Sequence, residues 1–342
     1  MKRKLLLFFA AAALCILSAC GANDMTPAAV LPTDAPSPSP VPTIAPTATP
    51  APTREPEPVD VYGVSVRWDD AEIDLRGVKI DDAGAALAEA IPSLPKLRRV
   101  DMTGCGLTNE EMGALQAAFP DVTFVWTLGI YNFSVPSDTT YFITNPAAGF
   151  SLTDRQEGPD ALRYCRDMAA LDLGHCHLND LAFLESMPHL RYLIIADNYG
   201  FDLSPLASCS ELEWLEMFGT DVQDISPLLE CPSLRHLNVC YVSTPGDALF
   251  ETLSQMTWLR RLWCTGTYMS LEQLDALRAA LPDTEVWCSP GDESSGGTWR
   301  CDEDYYAMRD AFHMYYMDVD GETVERMTEE ELAAVHEKFW GY

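Results

Sequence analysis

The 342-residue sequence has few basic residues for its length. Lysine and arginine together number 22, against 52 aspartate and glutamate residues, and the formal net charge at pH 7 is −30. Nucleic acids are bound through basic surfaces that neutralise phosphates, and anionic lipid headgroups also attract basic segments. The composition therefore excludes a nucleic-acid-binding protein and argues against peripheral adsorption to an anionic membrane.

The sequence also lacks the short motifs that carry chemistry. It contains no phosphate-binding loop, nucleophile elbow or zinc signature. His175, Cys176 and His177 would diverge at the end of a strand, and the calcium-loop pattern at Asp318 has Met327 where a glutamate belongs. We therefore expect no catalytic residue, no metal and no cofactor, and we predict that the protein is not an enzyme.

No hydrophobic run is long enough to span a membrane comfortably. The run Leu5–Leu17 has 13 residues and follows three basic ones, whereas a spanning helix needs about 20 apolar residues. It ends in Leu17-Ser18-Ala19-Cys20, which resembles the lipobox of bacterial lipoprotein signals. The resemblance implies a signal peptide over residues 1–19, a lipidated Cys20 and a lipid-anchored, extracytoplasmic location at the bacterial cell membrane. An uncleaved anchor or ordinary secretion is the alternative.

A linker is predicted over residues 20–58. Proline, serine, threonine and alanine dominate it, as in the stretch PSPSPVPTIAPTATPAPTREPEP. Such a composition cannot bury a core and favours extended polyproline II. We expect a semi-rigid spacer between the lipid anchor and a folded domain, so that the membrane is reached only through the anchor.

Leucines recur at a fixed interval in the middle of the chain. Short apolar strands begin at Leu171, Leu193, Leu215 and Leu237, each 22 residues after the last. A constant period of this size predicts a solenoid, in which each repeat packs on its neighbours. We place the repeat domain at residues 59–290.

The sequence within each repeat resembles the leucine-rich repeat LxLxxN/CxL. Leu203–Leu206 and Asp224–Leu228 further resemble the ISPL return segment of internalin-type bacterial repeats. The resemblance implies an α/β leucine-rich-repeat solenoid with a parallel sheet on the concave face, a mixed loop and helix convex side, and a role in binding. With the first leucine of each repeat counted as position zero, position five should satisfy buried backbone groups, and small or hydrogen-bonding residues occupy it: Cys105, Cys176, Asn198 and Thr220.

Two longer duplications frame the repeats. Tyr62–Leu75 resembles Tyr131–Thr144, and each is predicted to open a block of repeats with a short strand and a turn, the first acting as an N-terminal cap. Leu107–Trp126 resembles Met269–Cys288, and each is predicted to contain a capped helix followed by a strand.

The cysteines do not form a complete disulfide framework. Of the 11 cysteines, Cys15 leaves with the signal peptide and Cys20 takes the lipid, and the nine that remain are an odd number. Cys209 and Cys231 hold the same repeat position one rung apart. They could be bonded, but we expect buried thiols.

Aromatic and polar residues gather on the predicted concave face. Because side chains alternate along a strand, the residues beside each buried leucine project onto that face. This concave aromatic region is our candidate ligand-binding site, and its residues are Tyr192, Trp214, Glu216, Phe218, His236, Asn238, Tyr241 and Trp263. We expect it to be exposed, as protein hot spots and sugar-stacking platforms are. The alternative is that flanking loops or the C-terminal tail cover the rings.

Residues 291–342 differ from the repeats. Tyr305, Met308 and Phe312 follow helical spacing, and Thr328 to Glu331 is a capping box that predicts a second helix. We expect this helical tail to seal the last rung, or else to bind a partner as a hairpin. We predict a non-catalytic surface protein that binds an unidentified protein through its concave face, with glycan binding for nutrient capture as the alternative.

Overall fold

The computed structural model of this protein describes residues 56–131, 133–144, 158–288, 303–313, 316–317 and 323–324. The chain divides into two compact units, Met1–Arg54 and Glu55–Tyr342, and all described residues belong to the second. The expected signal peptide, Cys20, nearly all of the linker and the second C-terminal helix lie outside the described residues.

Short strands account for most of the regular structure. They are, in chain order, β1 (Val59–Val61), β2 (Val64–Val66), β3 (Glu72–Asp74), β4 (Arg99–Asp101), β5 (Thr123–Val125), β6 (Thr127–Ile130), β7 (Phe133–Pro136), β8 (Tyr141–Ile143), β9 (Ala170–Asp172), β10 (Tyr192–Ile194), β11 (Trp214–Glu216), β12 (His236–Asn238), β13 (Arg261–Trp263), β14 (Glu285–Trp287), β15 (Tyr316–Met317) and β16 (Thr323–Val324). Strands β3 to β5 form one parallel sheet and β8 to β14 form a second, seven-stranded one, in which each strand pairs with its neighbour in the chain.

Helices return the chain from one strand to the next. The α-helices are α1 (Ala85–Ala90), α2 (Asn109–Ala118), α3 (Gly246–Leu253), α4 (Leu271–Ala280) and α5 (Glu303–Ala311). The 3-10 helices are Ile91–Ser93, Pro159–Tyr164, Ala182–Ser186, Ser204–Ser208 and Ser226–Glu230. The 22-residue repeats therefore return through a 3-10 helix.

The repeating leucines form the core of the larger sheet. Leu171, Leu193, Leu215 and Leu237 pair strand to strand in register, and all four are fully buried. One such row buries apolar area at every rung, and this burial is the main force that stacks the repeats. The predicted leucine-rich-repeat solenoid is confirmed.

The duplicated capped helices are also confirmed. The Thr108 side chain accepts a hydrogen bond from the Glu111 amide, and Ser270 does the same for Gln273 at the start of α4. Each helix leads into the last strand of its sheet, β5 or β14. Helix α3 lies in a repeat of 25 residues and was not predicted, because Pro245 and Gly246 at its start read as a turn.

The other duplication produces two hairpins. Strands β1 and β2 pair antiparallel, as do β6 and β7. Tyr62 and Tyr131 hold equivalent turn positions, each with a φ of 53°. Each hairpin opens a block, as predicted, and the second one lies in the chain between the two parallel sheets.

Side chains at position five of the repeats satisfy the buried backbone. Asn198 Oδ1 accepts from the amides of Cys176 and Leu178, at 3.0 and 2.9 Å, while its Nδ2 donates to the Leu173 carbonyl at 2.9 Å. One side chain thus closes the turns of two adjacent rungs. A buried backbone group without such a partner would cost about 1–3 kcal/mol.

Most cysteines of the repeats are buried thiols. Cys209 and Cys231 are free and fully buried, and each thiol donates to a carbonyl one rung earlier, that of Leu184 or Leu206. Burial raises the pKa of the Cys209 thiol to about 12 and that of Cys231 to about 11. Protonated thiols in these positions pack like small apolar side chains.

In the described residues no helix has the length and apolarity needed to cross a membrane.

Candidate functional site

The candidate site lies on the concave face of the seven-stranded sheet. Tyr192, Trp214 and His236 begin β10, β11 and β12 and pair in register, so they form one row across the strands. Glu216, Asn238 and Trp263 form a second row in the same way. These six residues therefore share one face of the sheet.

The prediction that the concave aromatic region is exposed is wrong for most of its residues. Trp214, Trp263 and Tyr192 are 1%, 0% and 3% exposed, and the polar residues His236, Asn238 and Glu216 are 2%, 1% and 8% exposed. Phe218 is partly buried. Tyr241 alone among the eight is exposed, at 52%.

Helix α5 covers this face. Tyr305, Met308 and Phe312, the last just beyond the end of the helix, pack with Trp214 and Trp263 in a cluster that also includes Ala170, Tyr192 and Cys240. The cluster is separate from the leucine core on the other side of the strands. The C-terminal segment was expected to seal the last rung, but α5 lies across the concave sheet instead.

The aromatic rings in the cluster stack on one another. His236 lies 4.4 Å from Trp214, centroid to centroid, with the two planes 22° apart. Trp214 also meets Trp263 at 5.9 Å and Tyr305 at 6.2 Å. Beyond the cluster, Tyr141 stacks on His313 at 4.3 Å. The aromatic rings on the concave face therefore pack against each other and against α5 rather than facing solvent.

An acidic residue at the start of α5 makes the polar contacts with the sheet. Asp304 Oδ2 lies 2.8 Å from His236 Nε2 and is also paired with Arg260. Burial lowers the pKa of His236, although its hydrogen bond to Asp304 acts in the opposite direction. His236 is therefore neutral at pH 7, and the carboxylate beside Nε2 requires this nitrogen to carry the proton and donate.

Buried polar groups of the second row are only partly satisfied. Glu216 Oε1 accepts from Trp214 Nε1 at 3.0 Å, and Asn238 Oδ1 accepts from the Cys240 amide at 3.0 Å. Among the residues the structure describes, Asn238 Nδ2 and His236 Nδ1 are buried with no hydrogen-bond partner. A neutral His236 that donates through Nε2 presents Nδ1 as an acceptor, and Asn238 Nδ2 is a donor.

Tyr192 and Asp172 are two further titratable residues of the concave strands. Burial raises the pKa of Tyr192 to about 12 and that of Asp172 to about 6. Asp172 Oδ1 accepts from the Gly174 amide at 3.0 Å. The described part of the chain holds no group of three or more residues suited to a metal ion. The Cys176 thiol is turned inward, 2.9 Å from Thr144 Oγ1.

A second depression lies where the two blocks meet. It has a volume of about 770 Å³ and is lined by α2 together with Trp126 and Tyr164. Trp126 and Tyr164 pack edge to face at 5.6 Å, and Trp126 Nε1 donates to Asn109 at 2.9 Å. The aromatic side chains at this junction are thus already engaged in holding the blocks together.

The sequence missed the residues that complete the site. The sequence does not identify Asp304 and Arg260 as part of the site, and covering of the rings by the C-terminal tail, which the structure shows for α5, is only the alternative that it predicts. Helical spacing identifies a buried stripe but not the surface that buries it. The excess of apolar rings on one sheet face was the available signal that something covers it.

Comparison with known proteins gives similarity only to solved structures. The sequence matches no protein-family model and no curated protein. Internalin C2 of Listeria monocytogenes is 18% identical over 52% of this chain and 54% of its own, with a TM-score of 0.27. Internalin inlF of Listeria monocytogenes is 14% identical over 61% and 64%, with a TM-score of 0.35. A leucine-rich-repeat protein of Leptospira interrogans is 14% identical over 63% and 54%, with a TM-score of 0.34. The chain therefore spans less than two thirds of each of these structures, and its leucine-rich-repeat architecture rests on its own parallel strands and stacked leucines.

Proposed function

We propose that this protein is a non-catalytic, surface-exposed binding protein that engages a protein partner through its concave leucine-rich-repeat face. The observation that carries the proposal is the concave aromatic region itself. Two rows of aromatic and polar side chains run in register across the strands and pack around an amphipathic helix. A face that holds a helix of its own chain has the shape and chemistry to hold a segment of another protein.

We further propose that lipid on Cys20 tethers the domain outside the bacterial cell membrane. The basic start, the short apolar run and Leu17-Ser18-Ala19-Cys20 support this part of the proposal. Two or more acyl chains anchor a protein stably, and a proline-rich spacer would hold the domain away from the bilayer. Metabolic labelling with a palmitate analogue tests it, because Cys20→Ser should abolish the label while Cys15→Ser should leave it.

Binding of a glycan is less well supported by the geometry. Sugar recognition by stacking requires an aromatic face open to the ligand. The faces of Trp214 and His236 are stacked on one another, and Tyr305 of α5 packs beside them. A protein segment that inserts apolar side chains between the rings fits this arrangement better than a flat sugar ring does.

Site-specific cross-linking in cells tests the proposed binding face. A photoreactive amino acid at Tyr241, which is 52% exposed and lies three residues beyond the end of β12, should cross-link to a defined partner protein. The matched control is the same amino acid at Leu271, which is 80% exposed at the start of α4. Identical products from both positions would contradict the proposal, and so would an unchanged product from Tyr241 when Cys20→Ser removes the anchor.

A further inference from the structure

Helix α5 occupies the concave face as a peptide ligand occupies a groove. Tyr305 and Met308 of the helix, and Phe312 just beyond its end, pack into the concave cluster and are spaced three and four residues apart. This spacing places them on one stripe of the helix. Grooves that recognise amphipathic helices read the same pattern of anchors.

The groove also selects charge at one end of the helix. Asp304, directly before the first apolar anchor, meets His236 and Arg260. Arg191, Arg235 and Glu213 line the small cavity beside this contact, and Arg191 is paired with Glu213. In a chain with a net charge of −30, Arg235 and Arg260 at this end of the apolar groove favour a helix that begins with an acidic residue.

The chain's own helix fits this groove imperfectly. Asn238 Nδ2 and His236 Nδ1 are buried beneath it without a hydrogen-bond partner among the described residues. A cavity of about 110 Å³ remains beside His236 and Asp304. Buried polar atoms without partners disfavour the state that contains them. An occupant that offers a hydroxyl or amide side chain to these atoms would bind better than α5 does.

The helix can leave without unfolding the repeats. Its apolar contacts belong to a cluster that shares no residue with the buried leucine core. Glu303, Ala307 and Asp310 on its outer side are exposed, and its anchor Asp304 lies at a solvent-accessible edge with a side chain 42% exposed. Local opening of such a unit requires much less free energy than global unfolding.

We propose that the concave groove receives an amphipathic helix of a partner protein, and that this helix displaces α5. The partner helix carries apolar side chains at positions i, i+3 and i+7, an acidic residue directly before the first of them, and a hydroxyl or amide side chain toward Asn238. This inference rests on the proposed function and names the class of partner. The chain's own α5 acts as an internal competitor that keeps the aromatic floor covered until the partner arrives.

A labelled peptide of residues 301–317 serves as the probe, because its sequence is the one the groove already accommodates. It is titrated into the intact chain and into two variants. Met308→Asp places a charge among the buried rings and should release α5, whereas Asp310→Lys changes a charge on the exposed side of the same helix. We expect the peptide to bind Met308→Asp at least tenfold more tightly than it binds the intact chain or Asp310→Lys. The peptide that itself carries Met308→Asp should not bind.

A second variant keeps the test decisive if Met308→Asp does not fold. Asp304→Asn removes only the charge at the rim, and the peptide should then bind several-fold more tightly than to the intact chain. Equal affinity for all of these proteins would overturn the inference. So would a released groove that binds glycans on an array but not the peptide.

Failure of the inference can be told apart from failure of the proposed function. A groove that binds the peptide while Tyr241 yields no specific cross-link in cells supports the inference and contradicts the proposed function. If Tyr241 gives a specific cross-link but the released groove does not bind the peptide, the proposed function is supported and the inference is contradicted. The partner would then be a protein recognised by some other means than a helix.

Discussion

Single residues in this protein show how far the repeat pattern determines local chemistry. Position five was predicted to satisfy buried backbone groups, and Asn198 does so for two rungs at once. That role could be predicted because it depends only on the register of neighbouring repeats. The raised pKa of Asp172 could not be predicted in this way, because it depends on how far the folded protein excludes water from the carboxyl group.

Asn198→Ala should lower the free energy of unfolding by about 3 kcal/mol, because it leaves two buried amides and a carbonyl without their partner. Urea unfolding followed by circular dichroism measures the change. Thr220→Val is the graded comparison, since Thr220 occupies the same position one rung later and donates a single hydrogen bond to the Met217 carbonyl. It should cost about 1 kcal/mol. Equal losses at the two positions would contradict this account.

Asp172→Asn should stabilise the protein at high pH. Burial raises the folded-state pKa of Asp172 to about 6 from its ordinary value of 3.8, so the folded state binds the proton more tightly between pH 4 and pH 6. The contribution of protonated Asp172 to the free energy of unfolding is fully present below pH 4 and is lost as pH rises through 6. The free energy of unfolding of the variant should exceed that of the natural protein by about 3 kcal/mol at pH 8 and converge with it near pH 3.5.

Asp202→Asn provides a control of opposite sign for that titration. Hydrogen bonds from Ser204 lower the pKa of Asp202, so its charged form favours the folded state and this contribution is lost as the pH falls. Asp202→Asn should therefore reduce the midpoint urea concentration at pH 8. A parallel pH response of the two variants would contradict the assignments.

At the scale of whole elements, the periodic parts of the fold were predictable and the exceptions were not. The capping residues predicted α2 and α4, and the similar segments that open the two blocks both form hairpins. Helix α3 escaped prediction because Pro245 and Gly246 signal a turn when only neighbouring residues are considered. In the folded protein Gly246 is the first residue of that helix and lies against the next loop.

Gly246→Ala should be destabilising even though alanine favours helices. An added Cβ would lie 2.2 Å from the carbonyl oxygen of Tyr268, a backbone atom that cannot rotate away. Overpacking of this kind costs about 1–3 kcal/mol, and thermal unfolding should show the loss. Gly158→Ala is the matched control, because nothing lies within 4 Å of an added Cβ and its φ is −94°. A lowered Tm in the control, or none in Gly246→Ala, would contradict the packing described.

At the scale of the whole molecule, the sequence predicted the concave face and left open whether it meets solvent or is covered by flanking loops or the C-terminal tail. Alternation along a strand tells which side chains leave the leucine core. It does not tell whether the other side meets water, and here Trp214 and Trp263 meet α5. The helix joins the sheet from a distance in sequence, with Asp304 contacting His236 across 68 residues. A stripe such as Tyr305, Met308 and Phe312 shows that the helix packs on an apolar surface, but it does not identify that surface.

The central claim is that α5 covers the aromatic floor of the concave groove, and amide hydrogen exchange of the intact chain tests it most directly. Amides from Ala307 to Phe312 should exchange at least a hundredfold more slowly than in an unstructured peptide. Trp214→Ala removes a ring that packs against Tyr305 and should abolish most of that protection, whereas Tyr241→Ala, at an exposed position outside the cluster, should leave it unchanged. Fast exchange of these amides in the natural protein, or the same protection in both variants, would contradict the account.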